Sequence, residues 1–391
     1  MSAVADYDLY GLIRIRLVDP PPGILGRLRR ELGPLRASKD GPDPDLSIRF
    51  VDALPISNDL RYLGLHQAAY DAGTFYLLDS QGRRAAVAID QLGEPCEVVC
   101  EREMAHIPLL RDAVSLRLLA KGHVMLHSSA FIAEGKTVLV TGWQKGGKTE
   151  LLLGFMSDGA RFVSDEWTVL RKDTRALLGA TGGLDVWDWH FRQLPDYWRK
   201  IRPSERIRLR LLGLYRAWYR LVRPPRVSGF GLDLLHRLSE EGAVAAAGQV
   251  RTTPTRLFDG PPSRDAQLDL ILLAAVATGP SRARRLDPAE VASRMVGSQT
   301  YERKRLYDAY AAFRYAFPTR GNPILDSAPD RELELLTAFM GDIPAYEVVH
   351  PYPVSLGELR DLVRPLLAGL PGTGAEAIGR SSSDDSVGLT T

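Results

Sequence analysis

The sequence predicts an α/β protein with a strand-rich N-terminal domain and a helical insertion in the domain that follows. Short β-prone runs between turn residues fill residues 1–105, and strand and helix periods alternate over residues 106–370. An aromatic, arginine-rich stretch at 183–263 interrupts that alternation. The chain has 391 residues, of which 45% are hydrophobic and 25% charged, so it can bury a real core.

The N-terminal domain is predicted from five short runs that favour strands. Turn-forming segments such as PPPG, KDGPDPD and DSQGR separate them, and we therefore expect antiparallel pairing. The runs are YGLIRIRLVD, DLSIRFVD, TFYLLD, RAAVAID and CEVVCE.

The second domain begins with a helical period in HIPLLRDAVSLRLLAKG. Strands are then predicted at HVMLHSSAFIAE and TVLVTG, a helix from Lys148 to about Met156, and strands at ARFVSD and TVLRKD. After the insertion, QLDLILLAAVATG predicts a buried strand. Three helices, a strand at PAYEVVHPYP and a closing helix at SLGELRDLVRPLLAGL follow. Residues 371–391 have little apolar surface to bury, and we expect a disordered tail.

Charge and cysteine content exclude several classes of protein. Fifty basic and 48 acidic side chains give a net charge of +2, too small to attract the whole protein to nucleic acid or membrane. Cys96 and Cys100 are the only cysteines, too few for a disulfide scaffold or for a zinc site made of cysteine alone. No transmembrane run of about 18 apolar residues occurs, and no secretion signal is recognisable, so we expect a cytoplasmic protein.

Residues 142–149, GWQKGGKT, match the phosphate-loop pattern G-x-x-x-x-G-K-[S/T] between a predicted strand and a predicted helix. Closely spaced backbone N–H groups and the positive end of the helix suit a phosphate chain. We expect Lys148 to reach the β and γ phosphates and the Thr149 hydroxyl to ligate Mg²⁺. The predicted nucleotide-binding residues are Gly142, Trp143, Gln144, Lys145, Gly146, Gly147, Lys148, Thr149 and Glu150.

An acidic pair, Asp165 and Glu166, follows Lys148 by seventeen and eighteen residues. Phosphoryl transfer needs a lysine, Mg²⁺ and one carboxylate that orients the attacking hydroxyl, and these residues supply such parts. Taken without its spacing, the pair would more commonly be a solvated turn. His127 lies fifteen residues before Gly142. A lone histidine at a strand end is usually structural, and only this spacing makes a place in the site an equal alternative.

These features resemble the HPr kinase/phosphorylase family, which has a histidine ahead of its phosphate loop and a glycine and an acidic pair behind it. The matching residues here are His127, Gly159, Asp165 and Glu166. The resemblance covers residues 120–175 well and extends diffusely to about residue 366. It implies a P-loop kinase domain of the HPr kinase/PEP carboxykinase-like kind that uses ATP and Mg²⁺.

The resemblance also implies roles for individual residues. Glu166 stands where the family has the base that receives the proton of a serine hydroxyl on a small carrier protein. It is one methylene longer than the family's aspartate, so Asp165 is the alternative base. Lys145 replaces a family glycine, and the loop linked to phosphorolysis has no convincing copy, so the reverse activity is not implied. The predicted catalytic residues are His127, Lys148, Asp165 and Glu166, and the predicted metal ligands are Thr149 and Asp165.

The insertion carries eleven basic residues between Arg192 and Arg226. Its second half predicts a helix with one apolar face, and the simpler interpretation is that this face docks on the core. The alternative is a lid whose arginines recognise an acidic acceptor. The predicted apolar face consists of Ile207, Leu211, Leu214, Trp218 and Val222.

The sequence thus predicts an ATP-dependent kinase that phosphorylates a serine or threonine hydroxyl of a small protein or peptide. Three alternatives stay open: a kinase of a hydroxylated small molecule, a catalytically silent nucleotide-binding regulator and, on the insertion alone, a nucleic-acid-binding ATPase. The sequence decides neither between ATP and GTP nor between a monomer and a homo-oligomer.

Overall fold

The computed structural model describes residues 3–370 except 34, 39–41, 56–58, 65–66, 105, 181, 222–247, 261 and 264–265. The chain is a mixed α/β protein, as the sequence predicts. The predicted disordered tail, 371–391, lies outside the described residues. Within the described part of the chain, no helix combines the length and the apolar character needed to cross a bilayer.

The N-terminal region forms one nine-stranded sheet with the order β3-β1-β2-β4-β9-β8-β7-β6-β5. Its first helix, α1 (Ile24–Leu32), lies between β2 and β3 in the chain. The strands are β1 (Val4–Leu9), β2 (Ile13–Val18), β3 (Arg36–Ser38), β4 (Leu46–Val51), β5 (Arg61–Leu63), β6 (Ala68–Tyr70), β7 (Phe75–Leu78), β8 (Arg84–Val87) and β9 (Cys96–Glu101).

The prediction of purely antiparallel pairing in this region is wrong. β4 pairs in parallel with both β2 and β9 at the centre of the sheet. Parallel neighbours need a long crossover, and α1 contributes to the one between β2 and β4. The sequence reasoning missed α1, although Ile24, Leu28 and Leu32 recur at helical spacing and are all buried.

The second region begins with α2 (Leu110–Ala120) and contains the phosphate loop. Up to the insertion its elements are β10 (Val124–His127), β11 (Ser129–Ala133), β12 (Lys136–Gly142), α3 (Lys148–Met156), β13 (Arg161–Ser164), β14 (Trp167–Leu170) and β15 (Ala176–Gly179). The insertion contains β16 (Leu184–Trp187), α4 (Asp188–Gln193), α5 (Pro195–Lys200), α6 (Pro203–Leu221), β17 (Gln249–Thr252) and α7 (Pro254–Leu257).

The chain then returns to the core of the second region. The remaining elements are β18 (Ala266–Gln267), β19 (Leu270–Val276), β20 (Arg282–Leu286), α8 (Pro288–Glu302), α9 (Lys304–Ala316), α10 (Pro323–Asp326), α11 (Ala328–Met340), β21 (Ala345–His350) and α12 (Leu356–Ala368). Six strands form a sheet with the order β13-β11-β12-β19-β21-β20, in which β12, β19 and β21 are parallel. A second sheet has the order β10-β14-β15-β18.

The predicted single strand HVMLHSSAFIAE is in fact two strands in different sheets. β10 ends at His127 and pairs with β14, whereas β11 begins at Ser129 and pairs with β12. Between them, the backbone N–H of Ser128 donates to the carbonyl of Glu166 at 3.1 Å. This break places His127 and the acidic pair together at the junction of the two sheets.

The helix α6 does not dock through the predicted apolar face. Leu209 is buried in the core instead, and Arg216 forms an ion pair with Asp188 at 2.6 Å. Arg208 bonds Glu205 and the carbonyl of Gln249, so polar contacts to the β16–β17 ribbon orient the helix. The exposed fractions of the predicted face are Ile207 57%, Leu211 60%, Leu214 67% and Trp218 57%. Val222 lies outside the described residues.

One continuous hydrophobic cluster joins the N-terminal sheet to the second region. Ile15 of β2, Leu116 of α2 and Leu139 of β12 all belong to it and are fully buried. The two regions therefore share one packed hydrophobic core.

Candidate functional site

The phosphate loop runs from the end of β12 to the start of α3 and packs against two neighbouring strands. Gly142 (φ 139°) and Gly147 (φ 107°) adopt backbone conformations that other residues rarely adopt. A Cβ at Gly142 would lie 2.3 Å from the carbonyl oxygen of Ala274, and one at Gly147 would lie 1.9 Å from Nε2 of His350. Both glycines are thus required by the close approach of β19 and β21.

Lys148 begins α3 and is held by the loop itself. Its Nζ donates to the carbonyl of Trp143 at 2.8 Å and to that of Gly142 at 3.3 Å. Burial lowers the pKa of Lys148, although the charges of Glu166, Glu302 and Asp165 act in the opposite direction. The ammonium therefore lies inside the loop and close to three carboxylates.

Thr149 and Asp165 form an oxygen-rich pair at the N-terminus of α3. The Thr149 hydroxyl donates to the Asp165 carboxylate, with distances of 3.2 and 3.4 Å to the two oxygens. Asp165 is 1% exposed, and burial together with the neighbouring charge of Glu166 raises its pKa well above the usual value. A buried carboxyl with a raised pKa loses its proton more easily when a cation binds beside it, because the cation compensates the charge of the carboxylate.

The oxygen donors of this pair fit a nucleotide-bound Mg²⁺. Among the described residues, no group of three or more His, Cys, Asp and Glu side chains is arranged to hold a metal by itself. A magnesium ion carried by a nucleotide needs only one or two carboxylates, because phosphate oxygens and water complete its shell. Thr149 and Asp165 are the residues that would hold it.

Glu166, His127 and Glu302 form a chain of charged contacts beside Lys148. His127 Nε2 lies 3.4 Å from the Glu166 carboxylate, and His127 Nδ1 lies 2.6 Å from that of Glu302. Burial acts to lower the pKa of His127, but the two carboxylates raise it overall. Burial acts to raise the pKa of Glu166, but contacts with His127 and Lys148 lower it overall. Glu166 is therefore ionised, and its side chain is 38% exposed.

The raised pKa of His127 gives the folded protein a specific dependence on pH. Folding favours the protonated form of His127. The resulting stabilisation of the folded protein is complete below about pH 6.5 and is lost as pH rises through the raised pKa. We therefore expect the unfolding temperature of the wild type to fall relative to that of His127→Gln above about pH 6.5.

Calorimetric unfolding of both proteins across this pH range measures the effect. Because the two proteins share all other titrating groups, groups distant from His127 cancel in the difference. A difference in unfolding temperature that does not change with pH would contradict the ion-pair chain.

The backbone at Glu166 is also unusual. Its φ of 68° lies in the left-handed region, which costs a residue with a side chain roughly 1–2 kcal/mol. The hydrogen bond from Ser128 to the Glu166 carbonyl holds this conformation. Strain of this kind is concentrated at functional sites, where the rest of the structure pays for it.

Comparisons with known proteins do not assign this chain to a family. No protein-family model matches the chain, and no curated protein is significantly similar to it. The contacts of the site are therefore the evidence for its role.

The structure brings most of the predicted site residues together and directs one elsewhere. Lys148, Thr149, Asp165, Glu166 and His127 are linked by the contacts above. Trp143, Gln144 and Lys145 are exposed on the loop. The side chain of Glu150 is buried and contacts Nε2 of His190 in α4 at 3.3 Å, so it supports the insertion.

Several residues of the site were missed by sequence reasoning. Glu302 ends α8 and is 175 positions from His127, so no local spacing reveals the contact. The guanidinium carbon of Arg111, at the start of α2, lies 5.1 Å from the ring centroid of Trp167. The Trp167 ring stacks on that of His127, with 5.3 Å between the ring centroids. The rings of Tyr301 and Trp143 pack together, with 4.8 Å between their centroids. Only the fold places these side chains beside the loop.

Proposed function

We propose that this chain is an ATP-dependent kinase that transfers the γ-phosphoryl group to a serine or threonine hydroxyl of a small protein or peptide. One observation carries the proposal: the Glu166–His127–Glu302 chain lies beside Lys148 and the Thr149–Asp165 pair. Phosphoryl transfer requires these parts, namely a lysine, a metal-holding pair and an ionised carboxylate at the acceptor side. The resemblance of residues 120–175 to the HPr kinase/phosphorylase family agrees with this proposal.

The loop and the start of α3 account for nucleotide binding in this proposal. Backbone N–H groups around Gly146 and Gly147 and the positive end of α3 contact the phosphates, and Lys148 neutralises charge between the β and γ groups. Thr149 and Asp165 would hold Mg²⁺, which when bound would supply further neutralisation of phosphate charge.

The two acids have different environments, which supports different roles. Asp165 is sealed from solvent and bonded to Thr149, so it fits the metal side. Glu166 is ionised and partly exposed, so it fits contact with the acceptor hydroxyl. This division favours Glu166 over Asp165 as the base. His127 holds the longer glutamate side chain in place as a positioning residue.

The proposed step transfers the γ-phosphoryl group from ATP to the acceptor hydroxyl. The acceptor oxygen forms a bond to the γ phosphorus while the bond from that phosphorus to the bridging oxygen breaks, and ADP leaves with the electron pair. The hydroxyl proton goes to Glu166. A modest base is sufficient, because catalysis of this reaction depends mainly on positioning and on charge stabilisation.

Incubation of the purified chain with labelled ATP, Mg²⁺ and three acceptor classes tests the proposal. We expect label on peptides or small proteins that contain serine or threonine, and none on matched alanine versions. Label on hydroxylated small molecules alone would favour the small-molecule kinase. Nucleotide binding without transfer or hydrolysis would favour the silent regulator.

Nucleotide binding is expected to be visible through Trp143. This side chain is 53% exposed on the loop, so a polyphosphate that reaches the adjacent N–H groups should change its surroundings. Mg²⁺-ATP should alter tryptophan fluorescence, and Trp143→Phe should remove most of the change without abolishing binding measured by calorimetry. A full signal in Trp143→Phe would assign it to another tryptophan, such as Trp167.

A further inference from the structure

A cleft of about 990 Å³ opens directly beside the phosphate loop. Its walls come from α1, from the start of α2, from β17 and from the junction of α8 and α9. Its lining reaches Gln144 of the loop, Trp167 behind the acidic pair, and Glu302, the partner of His127. The cleft therefore meets the site at the side of the acidic pair.

The lining of this cleft carries more positive than negative side chains. The negative side chains are Glu31, Asp112 and Glu302. Burial raises the pKa of Glu31 and raises that of Asp112 to about 6, while Glu302 is engaged by His127. The seven basic side chains of the lining outnumber these three carboxylates, so the lining carries net positive charge. The positive side chains are Arg27, Arg30, Arg111, Arg251, Arg303, Lys304 and Arg305.

Part of this positive charge is already paired, and part of it is exposed and unpaired. Buried Arg303 pairs with Glu332, and Lys304 pairs with Asp308 at 2.7 Å. Arg30, Arg251 and Arg305 are exposed, and no carboxylate among the described residues forms an ion pair with them. These three arginines define a cationic rim.

Two arginines of the cleft lining also have buried hydrogen-bond donors without a partner among the described residues. Nε and Nη1 of Arg303, which is 4% exposed, have no hydrogen-bond partner within the described chain. The same holds for Nε of Arg111, whose guanidinium lies over Trp167. Buried donors of this kind are costly unless a ligand or water accepts from them.

We infer that this cleft binds an acidic peptide segment of the acceptor and presents the adjacent hydroxyl to Glu166, an inference that rests on the proposed function. The rim arginines come from α1, β17 and α9, so the positive charge surrounds the opening and suits carboxylates spaced along a chain. The volume is at the top of the roughly 300–1,000 Å³ range of small-molecule pockets, which leaves room for several side chains.

This assignment places acceptor recognition outside the helix that the sequence offered as an alternative lid. No described side chain of α6 lines the cleft, and the contribution of the described insertion is Arg251 of β17. A peptide is favoured over single-stranded nucleic acid because a stacking groove needs a row of aromatics. The described lining offers Tyr301 as its exposed aromatic ring, so the described residues do not form such a row.

Two short synthetic peptides that differ only in charge test the inference. Each has a central serine, flanked on both sides by glutamates in one and by glutamines in the other. For the wild type, we expect kcat/KM for the glutamate peptide to be at least about tenfold higher at low salt and to fall as ionic strength rises. Equal kcat/KM values for the two peptides would overturn the inference.

A double variant of the rim, Arg30→Gln with Arg251→Gln, locates the effect. We expect KM for the glutamate peptide to rise about tenfold while KM for ATP is unchanged. The matched control is Arg61→Gln with Arg282→Gln, which removes the same charge from exposed arginines of β5 and β20 outside the cleft lining. Equal losses in both double variants would mean non-specific attraction and would contradict a cleft site.

Direct binding, measured by fluorescence anisotropy of labelled peptides, separates this inference from the proposed function. Binding of the glutamate peptide that is lost in the rim variant but leads to no transfer would support the cleft and contradict the kinase. Equal phosphoryl transfer to the glutamate and glutamine peptides would support the kinase and contradict peptide binding in the cleft. An oligothymidine that binds more tightly than the glutamate peptide would replace the peptide with single-stranded nucleic acid.

Discussion

Lys148→Ala is expected to lower phosphoryl transfer by at least ~10³-fold at saturating ATP. The Lys148 ammonium lies inside the loop, where burial lowers its pKa and low polarity strengthens its interaction with charge. In the proposed reaction, charge develops on the oxygen between the β and γ phosphorus atoms, and no other described cation bonds the carbonyls of Gly142 and Trp143. Single-turnover transfer of labelled phosphate measures the effect.

Two companion measurements make this result interpretable. Thermal unfolding shows whether the variant is folded, since Lys148 also bonds the loop carbonyls. Lys172→Ala removes an exposed lysine outside the site and should transfer phosphate at the wild-type rate. Unchanged transfer in folded Lys148→Ala would contradict the phosphate-loop assignment itself.

Glu166→Gln is expected to lower transfer by ~10²–10⁴-fold while Mg²⁺-ATP binding stays near normal. The amide keeps the size of the side chain but cannot receive the hydroxyl proton. Asp165→Asn is expected to behave differently, because Asp165 is bonded to Thr149 and is sealed from solvent. That variant should require a higher Mg²⁺ concentration for half-maximal nucleotide binding.

Calorimetric titration of nucleotide at several Mg²⁺ concentrations, together with transfer rates, distinguishes the two variants. Glu166→Asp is a useful third protein, because the shorter carboxylate moves away from His127, which now lies 3.4 Å from it. An intermediate loss of transfer is expected. Identical behaviour of Glu166→Gln and Asp165→Asn would contradict the division of roles between the two acids.

Local features of the site could be predicted from the sequence because they depend on neighbouring residues. The helix after the loop runs from Lys148 to Met156 as expected, since Gly147 precedes it and apolar residues fill its length. The proximity of Asp165 to Thr149 follows from a short strand–loop–helix–strand path. Both observations involve fewer than thirty consecutive residues.

Features that depend on distant parts of the chain could not be predicted. Glu302 reaches His127 only because α8 packs beside β10, and the α1 wall of the cleft depends on the packing of the two regions. The outward apolar face of α6 has a different cause. Hydrophobic period alone cannot show that ion pairs such as Arg216–Asp188 will orient a helix.

The contact between Gly147 and His350 has a consequence for sequence comparison. His350 Nε2 bonds the carbonyl of Gly146 at 3.1 Å, and the imidazole fills the space that a Cβ at position 147 would need. A side chain at position 147 would therefore need a smaller residue at the end of β21, and the φ of 107° would still strain it. A search for related chains gains discrimination by requiring both Gly147 and His350, since phosphate-loop glycines alone occur in many unrelated families.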